Sequence, residues 1–119
     1  AGTRLPDQWH LHAHGLSSPV VDAVEAAAIA DVLEAFPQVP VVAAKSLFGN
    51  LGAGGGAVDL ICSLLALEHD RLFAIKNLTT PAPAVRWKAA QAGDSAGRAV
   101  IHSSFTLQGQ ASSIAVAAV

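Results

Sequence analysis

Cysteine, charge and aromatic side chains are all scarce in this sequence. Its single cysteine, Cys62, excludes an internal disulfide and is typical of a reducing compartment. Only 13% of the 119 residues are charged, the formal net charge is −2, and the aromatic residues are two Trp and four Phe with no Tyr. Because there is no basic stripe with interleaved aromatic side chains, we expect no nucleic-acid surface.

We expect neither a signal peptide nor a membrane span in this sequence. Its longest apolar run, Gly52 to Leu67, is interrupted by Asp59 and is rich in small residues, whereas a span needs about 20 predominantly apolar residues. We therefore predict a cytoplasmic protein with no membrane partner. The low charge of so small a domain indicates that another domain or subunit covers part of it, so we expect an oligomer of identical or different chains.

The apolar segments that are present predict one α/β domain over residues 1–119, with a layered sheet and a single core. Strand and helix periodicities alternate along the chain. The predicted elements are a strand at Trp9 to His14, a helix capped by Ser18 and stopped by Pro37, a strand at Val39 to Val42, a helix from Gly55 to His69, an extended segment at Leu72 to Leu78, and two strands at Ala99 to Phe105 and Ser112 to Val119.

Three of these elements carry more specific expectations. Apolar residues recur at helical spacing in the first helix, at Val21, Val24, Ala28, Val32 and Ala35. The second helix is apolar nearly all round, which predicts that it is enclosed between layers. The last two strands are separated by a short gap and predict an antiparallel hairpin.

The stretch between the second strand and the second helix holds the polar residues of greatest interest. Five glycines among the eight residues from Gly49 to Gly56 indicate backbone with positive φ or a close approach of another segment. Lys45, Ser46 and Asn50 lie on this turn, where functional groups of α/β proteins are usually placed. Lys45 and Asp59 are expensive to bury alone, so we predict that they form an ion pair.

Three further patterns have simpler interpretations beside functional ones. Gly52 to Ala57 fits the dinucleotide pattern G-x-G-x-x-A, but it lies about seven residues after the strand and lacks the acidic residue that should follow. Helix packing is therefore favoured, and no cofactor is predicted.

His10, His12 and His14 alternate and would share one strand face as metal ligands, yet no fourth ligand except Asp22 is near. Structural or solvent-facing roles of His10 and His12 are therefore favoured, and no metal is predicted. Cys62, among apolar residues, is interpreted as an inert packed thiol.

Taken together, the ordered motifs resemble the C-terminal half of the β-ketoacyl-acyl-carrier-protein synthases. The resemblance runs from about Trp9 to Val119 and rests on pieces that are individually weak. They are Ala13-His14-Gly15-Leu16-Ser17-Ser18-Pro19 with Asp22 and Glu25, Val39-Pro40-Val41, Lys45-Ser46, Gly49-Asn50, Gly56-Ala57-Val58-Asp59, Leu65-Ala66-Leu67, Asn77-Leu78 and Ser104-Phe105.

This resemblance implies a thiolase-like half with a layered mixed sheet, a buried central helix at Gly55 to His69 and a C-terminal antiparallel hairpin. It also implies an acyltransferase that condenses acyl and malonyl thioesters with decarboxylation, in fatty acid or polyketide synthesis. His14 matches the family's first catalytic histidine, and Lys45 with Asp59 matches its lysine and glutamate pair. Asn50 replaces the second histidine, and its amide can still donate a hydrogen bond to a carbonyl oxygen.

Two departures from the family pattern set the alternatives. The family's glycine-rich loop is here Thr106 to Ala111, in which only Gly109 is retained and Leu107 is the residue whose N–H would reach the oxyanion. The nucleophilic cysteine lies outside this chain, so we expect the chain alone to be inactive and to need an N-terminal half or partner subunit, with an acyl carrier protein as its partner. The alternative is a degenerate, non-catalytic homologue that pairs with an active subunit or carrier protein, and a dinucleotide-binding module is third.

Overall fold

The computed structural model describes residues 4–76, 78–83 and 85–119. Asn77, which is part of one motif of the resemblance above, lies outside the described residues. The elements in chain order are β1 (His10–His12), α1 (Pro19–Leu33), β2 (Pro40–Val42), α2 (Lys45–Phe48), a 3-10 turn (Gly52–Gly54), α3 (Gly55–Glu68), β3 (Lys88–Ala89), β4 (Ala99–Phe105) and β5 (Ala111–Ala117).

The five strands form one mixed sheet in the order β3-β2-β1-β4-β5. β1 pairs in parallel with β2 on one side and with β4 on the other, and β4 and β5 form the predicted antiparallel hairpin. The chain passes from β1 to β2 through α1 and later returns to the other side of β1. β1 and β4 therefore flank a topological switch point, the place where open α/β sheets bind ligands.

One face of the sheet packs against α1 and forms a hydrophobic core. This core contains Trp9, Leu11 and Ala13 from β1 and its flanks, together with Ile29 and Leu33 from α1. The helical segment was predicted correctly, with Ser18 at the N-cap position and Pro19 in the first turn, although the Ser18 side chain makes no capping bond.

The predicted apolar face of α1 is wrong in part. Val24 and Val32 are exposed, whereas the buried side consists of Val21, Glu25, Ala26, Ile29 and Leu33. Because alanine and valine are distributed around the whole helix, its hydrophobic periodicity is weak and cannot define the buried side.

The opposite face of the sheet packs against α3, which matches the predicted helix apart from one residue at its end. Its sheet-facing side buries Gly55, Asp59, Ser63 and Ala66. Its other side leaves the apolar residues Ile61, Leu64 and Leu65 between 40% and 54% exposed. Within the described residues α3 is therefore covered on one side only, which differs from the expected enclosure between two layers.

Two connecting regions also differ from the predictions. Residues 72–76 and 78 contain no strand, and the third strand is the short β3, whose two residues carry no distinctive pattern. The glycine-dense segment is not a simple turn, since it includes α2 and the 3-10 turn. Gly49 and Gly52 have φ of 80° and 60°, as the glycine density predicted.

Candidate active site at the carboxyl edge of the sheet

The predicted site residues are distributed around one edge of the sheet. His14 follows β1, Lys45 follows β2, and Phe105 ends β4. Because these three strands are parallel neighbours, their carboxyl ends lie at the same edge. Both His14 and Lys45 were predicted to follow strands, and the sheet order shows that these strands end at the switch point.

Glu25 of α1 holds the backbone that carries His14. Its two carboxylate oxygens accept hydrogen bonds from the His14 N–H at 2.6 Å and from the Gly15 N–H at 2.9 Å. Burial raises the pKa of Glu25, and these two backbone bonds act against that shift. From the sequence, Glu25 was named only as part of a family motif, because its bonds to the His14 backbone depend on how α1 folds back onto the end of β1.

The His14 imidazole is half-buried beside β4. Its Nδ1 lies 3.5 Å from the Ser104 hydroxyl, and its ring centroid is 4.7 Å from that of Phe105. Burial, and next the nearby positive charge of Lys45, lowers the pKa of His14. A neutral imidazole in this position is able to donate a hydrogen bond from one ring nitrogen while the other accepts one.

Lys45 and Asp59 form the predicted buried ion pair, through Lys45 Nζ and Asp59 Oδ2. The Asp59 carboxylate is fully buried, and the Nε2 atoms of His12 and His102 each lie 3.8 Å from one of its oxygens. Burial alone would raise the pKa of this carboxyl group, but the neighbouring His102 and Lys45 nitrogens outweigh burial and lower it. Among the described residues, Asp59 Oδ1 and His102 Nε2 lack a hydrogen-bond partner.

Asn50 lies on the exposed segment that leads into α3. Its Oδ1 accepts a hydrogen bond from the Gly52 N–H at 3.0 Å, which directs the amide NH₂ away from this turn. A Cβ added at Gly55 would lie 3.6 Å from Lys45 Cε and 4.0 Å from Asn50 Oδ1. Asn50 and Lys45 are thus both neighbours of the first residue of α3.

The start of α3 also connects this pair to His14. A Cβ added at the next residue, Gly56, would lie 3.8 Å from Ser104 Oγ, the same atom that faces His14 Nδ1. The first two residues of α3 are therefore neighbours of Asn50 and Lys45 directly and of His14 through Ser104.

Leu107 belongs to the tight turn between β4 and β5, two residues beyond Phe105. The turn is closed by hydrogen bonds from Thr106 N–H to Gln110 O and from Gly109 N–H to Thr106 O. Leu107 is 77% exposed. It therefore lies at the same edge of the sheet as His14, but none of the described contacts joins it to His14 or Asn50.

The sequence did not reveal how His10 and His12 are used. Both are fully buried on the α3 face, so the structural interpretation holds and the solvent-facing one does not. Ser63 of α3 bridges them, with its Oγ 3.0 Å from His10 Nε2 and 2.7 Å from His12 Nδ1. The alternation of histidines in β1 predicted their shared face, whereas Ser63 showed no signal in the sequence.

The remaining candidates have simple environments. Cys62 is half-buried, and burial raises the pKa of its thiol, in agreement with an inert packing residue. His69 is exposed at the end of α3. No three His, Cys, Asp or Glu side chains of residues 4–76, 78–83 and 85–119 are grouped so that they could hold a metal ion. In the same ranges, no helix has both the length and the apolar character needed to cross a bilayer.

The mixed sheet, with α1 on one face and α3 on the other, has the architecture of a thiolase-like domain. Residues 6–79 match the family "Beta-ketoacyl synthase, C-terminal domain". The 3-oxoacyl-[acyl-carrier-protein] synthase 2 of Staphylococcus aureus is 33% identical over 84 residues, which are 70% of this chain and 21% of that protein. The enzyme of the same name from Synechocystis sp. is 32% identical over 76 residues, 62% of this chain and 18% of that protein.

Solved structures agree with this assignment. The ishigamide ketosynthase/chain length factor superimposes with a TM-score of 0.86 at 23% identity, covering 95% of this chain and 28% of that one. The ketosynthase of AntDE:AntF, a type II PKS acyl-carrier protein in complex with its ketosynthase, gives a TM-score of 0.85 at 26% identity, covering 92% and 28%. The chain belongs to the β-ketoacyl synthase C-terminal domain family, and it spans about one fifth of the length of the curated relatives it matches.

Proposed function

We propose that this chain forms the carbonyl-activating part of a β-ketoacyl-acyl-carrier-protein synthase, in which His14 and Asn50 donate hydrogen bonds to a malonyl thioester. The nucleophilic cysteine comes from the N-terminal half, so the chain alone is inactive. The observation that carries the proposal is the arrangement of His14, Lys45 and Asn50 around the start of α3 at the switch point of the sheet.

In the proposed reaction the malonyl carboxylate leaves as CO₂, and the electron pair of the broken C–C bond forms an enolate on the thioester. The enolate carbon then attacks the acyl thioester on the cysteine of the other half, a C–C bond forms, and the cysteine thiolate is released. Donors aimed at the thioester oxygen stabilise the negative charge that develops there.

The local geometry supports these donor roles. If the Ser104 hydroxyl donates to His14 Nδ1, the proton of the neutral imidazole lies on Nε2, free to bind the thioester oxygen. The Asn50 oxygen is occupied by the Gly52 N–H, so its NH₂ group is the part available to a substrate. Leu107 N–H would serve the second oxyanion, formed on the acyl thioester during attack. Burial and the positive charge of Lys45 both favour the neutral imidazole of His14, and the charge of Asp59 acts against them.

The proposed partners follow from the same chemistry. The related AntDE ketosynthase is bound to an acyl-carrier protein, and we propose a carrier protein as the donor of both acyl and malonyl thioesters here. The exposed apolar side of α3 supports an N-terminal half or partner subunit that covers Ile61, Leu64 and Leu65.

The test is malonyl decarboxylation by the complete gene product that contains this chain. We expect His14→Ala to lower kcat by about 100-fold to 1,000-fold, the usual effect of removing one oxyanion donor. His69→Ala is the matched control, because His69 is exposed at the far end of α3, and it should leave the rate unchanged. Equal rates for wild type and His14→Ala would contradict the role of His14.

A second function is favoured by one observation, the Thr106 to Ala111 turn. It is closed by its own hydrogen bonds and retains a single glycine, Gly109, so it lacks the flexibility of a gating loop. This supports a non-catalytic homologue that pairs with an active subunit. In that case the wild-type gene product should release no CO₂ from a malonyl thioester, and acyl labelling should find no reactive thiol in it.

A further inference from the structure

A continuous line of hydrogen bonds crosses the buried interface between β1 and α3. It begins at the Ala44 N–H, which lies 3.1 Å from His12 Nε2, and continues from His12 Nδ1 to Ser63 Oγ at 2.7 Å. It then passes from Ser63 Oγ to His10 Nε2 at 3.0 Å and ends with His10 Nδ1 at 2.8 Å from the Ala96 carbonyl oxygen. We name this line of three side chains, His10, Ser63 and His12, the relay.

The two backbone groups at its ends determine where the protons lie. The Ala44 N–H can only donate, so His12 Nε2 must accept and the imidazole proton of His12 is on Nδ1. The Ala96 oxygen can only accept, so the proton of His10 is also on Nδ1. Ser63 then accepts from His12 and donates to His10, so each ring nitrogen has one partner and the Ser63 hydroxyl has two.

This arrangement leaves both histidines neutral, and it has a consequence for Asp59. His12 Nε2 lies 3.8 Å from Asp59 Oδ1, close enough to compete for the carboxylate if it carried a proton. Because its lone pair is directed at the Ala44 N–H instead, Lys45 is the partner that holds the aspartate charge. Ala44 immediately precedes Lys45, so the same bond fixes the backbone from which the lysine extends.

The relay also anchors α3. Ser63 follows Asp59 by four residues and lies on the same face of the helix, so the relay and the ion pair hold two successive turns of α3 on the sheet. The start of α3 is the common neighbour of Lys45, Asn50 and Ser104. A rotation or shift of α3 would therefore displace Asn50 relative to His14.

We propose that His12, oriented by Ser63 and His10, is a positioning residue that reserves Asp59 for Lys45 and sets α3 against the residues that activate the thioester. This inference rests on the proposed condensing function. The observation that carries it is that the hydrogen bonds between the Ala44 N–H and the Ala96 carbonyl oxygen allow only one assignment of donors and acceptors.

The first test is made on the wild-type protein, and substitutions serve only to assign its signals. In the complete gene product labelled with ¹⁵N-histidine, the ring nitrogen shifts of His10 and His12 should show protonated Nδ1 and unprotonated Nε2 at neutral pH, assigned by loss of each signal in His10→Gln and His12→Gln. A protonated Nε2 on His12 would overturn the inference directly.

The second test compares Ser63→Ala with Ser63→Thr, which keeps the hydroxyl group. We expect Ser63→Ala to lower kcat for malonyl decarboxylation by about tenfold with little change in KM, since small misplacements of catalytic groups reduce the chemical step. Ser63→Thr should stay within about twofold of wild type, and Ser113→Ala on the exposed strand β5 should have no effect. If Ser63→Ala has the wild-type kcat while His14→Ala is slowed as expected, the role of the relay is refuted and the proposed function is not. If His14→Ala has the wild-type rate, the proposed function is refuted instead.

Discussion

The two faces of the sheet are built from the same strands but differ in what they bury. Successive residues of β1 and its flanks alternate between Trp9, Leu11 and Ala13, which form the core under α1, and His10 and His12, which lie under α3. The α1 face is held by apolar packing. The α3 face has a second, smaller apolar cluster that includes Val42, Ala66 and Leu72, and it also buries the hydrogen-bonded histidines and the charges of Lys45 and Asp59.

The difference separates a face that contributes stability through apolar packing from a face that carries the proposed site. An apolar core gains from every buried methyl group, at roughly 25 cal/mol per Å², and tolerates moderate repacking. A buried polar cluster gains little in net free energy of folding and is costly when one partner is lost. The proposed chemical role gives a reason for the presence of this cluster on the α3 face.

The largest effect should come from removing one charge of the α3 face. Asp59→Ala leaves the Lys45 ammonium buried without its partner, and we expect the free energy of unfolding to fall by about 3–5 kcal/mol. The double variant Lys45→Met with Asp59→Leu replaces both charges by apolar groups, and it should unfold with a free energy close to that of wild type.

Urea titration measures the stability of the three proteins, and the decarboxylation assay measures their function. Both variants should be inactive, so the double variant separates folding from catalysis. A double variant that is as unstable as Asp59→Ala would contradict the view that the ion pair is retained for chemistry. Full activity in the double variant would also contradict this view, because it would show that the reaction does not need the ion pair.

The site could be predicted in part because its residues stand next to strand ends. His14 beside Gly15, and Lys45 after an apolar strand, are recognisable from the linear order of residue types. The partners Glu25, Ser63 and Ser104 are not, because each depends on the docking of a helix or strand distant along the chain. Asp59 was found because it is the only acid in the apolar part of α3 before the last residue, Glu68.

A second, smaller effect should appear as a pH dependence of stability that the α3 face alone produces. Burial, opposed in part by the Asp59 charge, lowers the pKa of His12 from 6.5 to about 3. In that window the unfolded chain binds the proton and the folded chain does not, so stability is complete above about pH 6.5 and declines as the pH falls toward 3. From pH 7 to pH 5 this loss is about 2 kcal/mol.

Urea titrations of wild type and His12→Gln at pH 7 and pH 5 isolate this contribution. Other groups titrate in the same range, including Glu25, whose pKa is raised and whose effect has the opposite sign. They are present in both proteins and cancel in the difference. If the wild type and His12→Gln lose the same stability on acidification, His12 is not held neutral by the fold.

The fold could be predicted where residue patterns are strong. Strand β4 was predicted with its observed bounds, because it begins with the apolar residues Ala99 to Ile101, ends with Phe105 and is followed by a turn. β3 was missed because two residues carry too little pattern, and its role is to extend the sheet beside β2. The buried side of α1 was assigned in part to the wrong residues, since a helix rich in alanine and valine has no distinct apolar stripe.

The smallest effect tests that assignment on the α1 face with one type of residue at two positions. Val21 is buried against the sheet at 7% exposure, whereas Val24, three residues on, is 67% exposed. Val21→Ala removes two buried methyl groups and should reduce the free energy of unfolding by about 1.5 kcal/mol. Val24→Ala should change it by less than about 0.5 kcal/mol, and in the stabilising direction, because alanine favours the helix and the lost methyl groups were in water. Since the α1 face holds none of the proposed catalytic groups, both variants should keep the wild-type kcat. Equal destabilisation at the two positions would show that Val24 is buried as well, on the side of α1 that the sequence periodicity predicted.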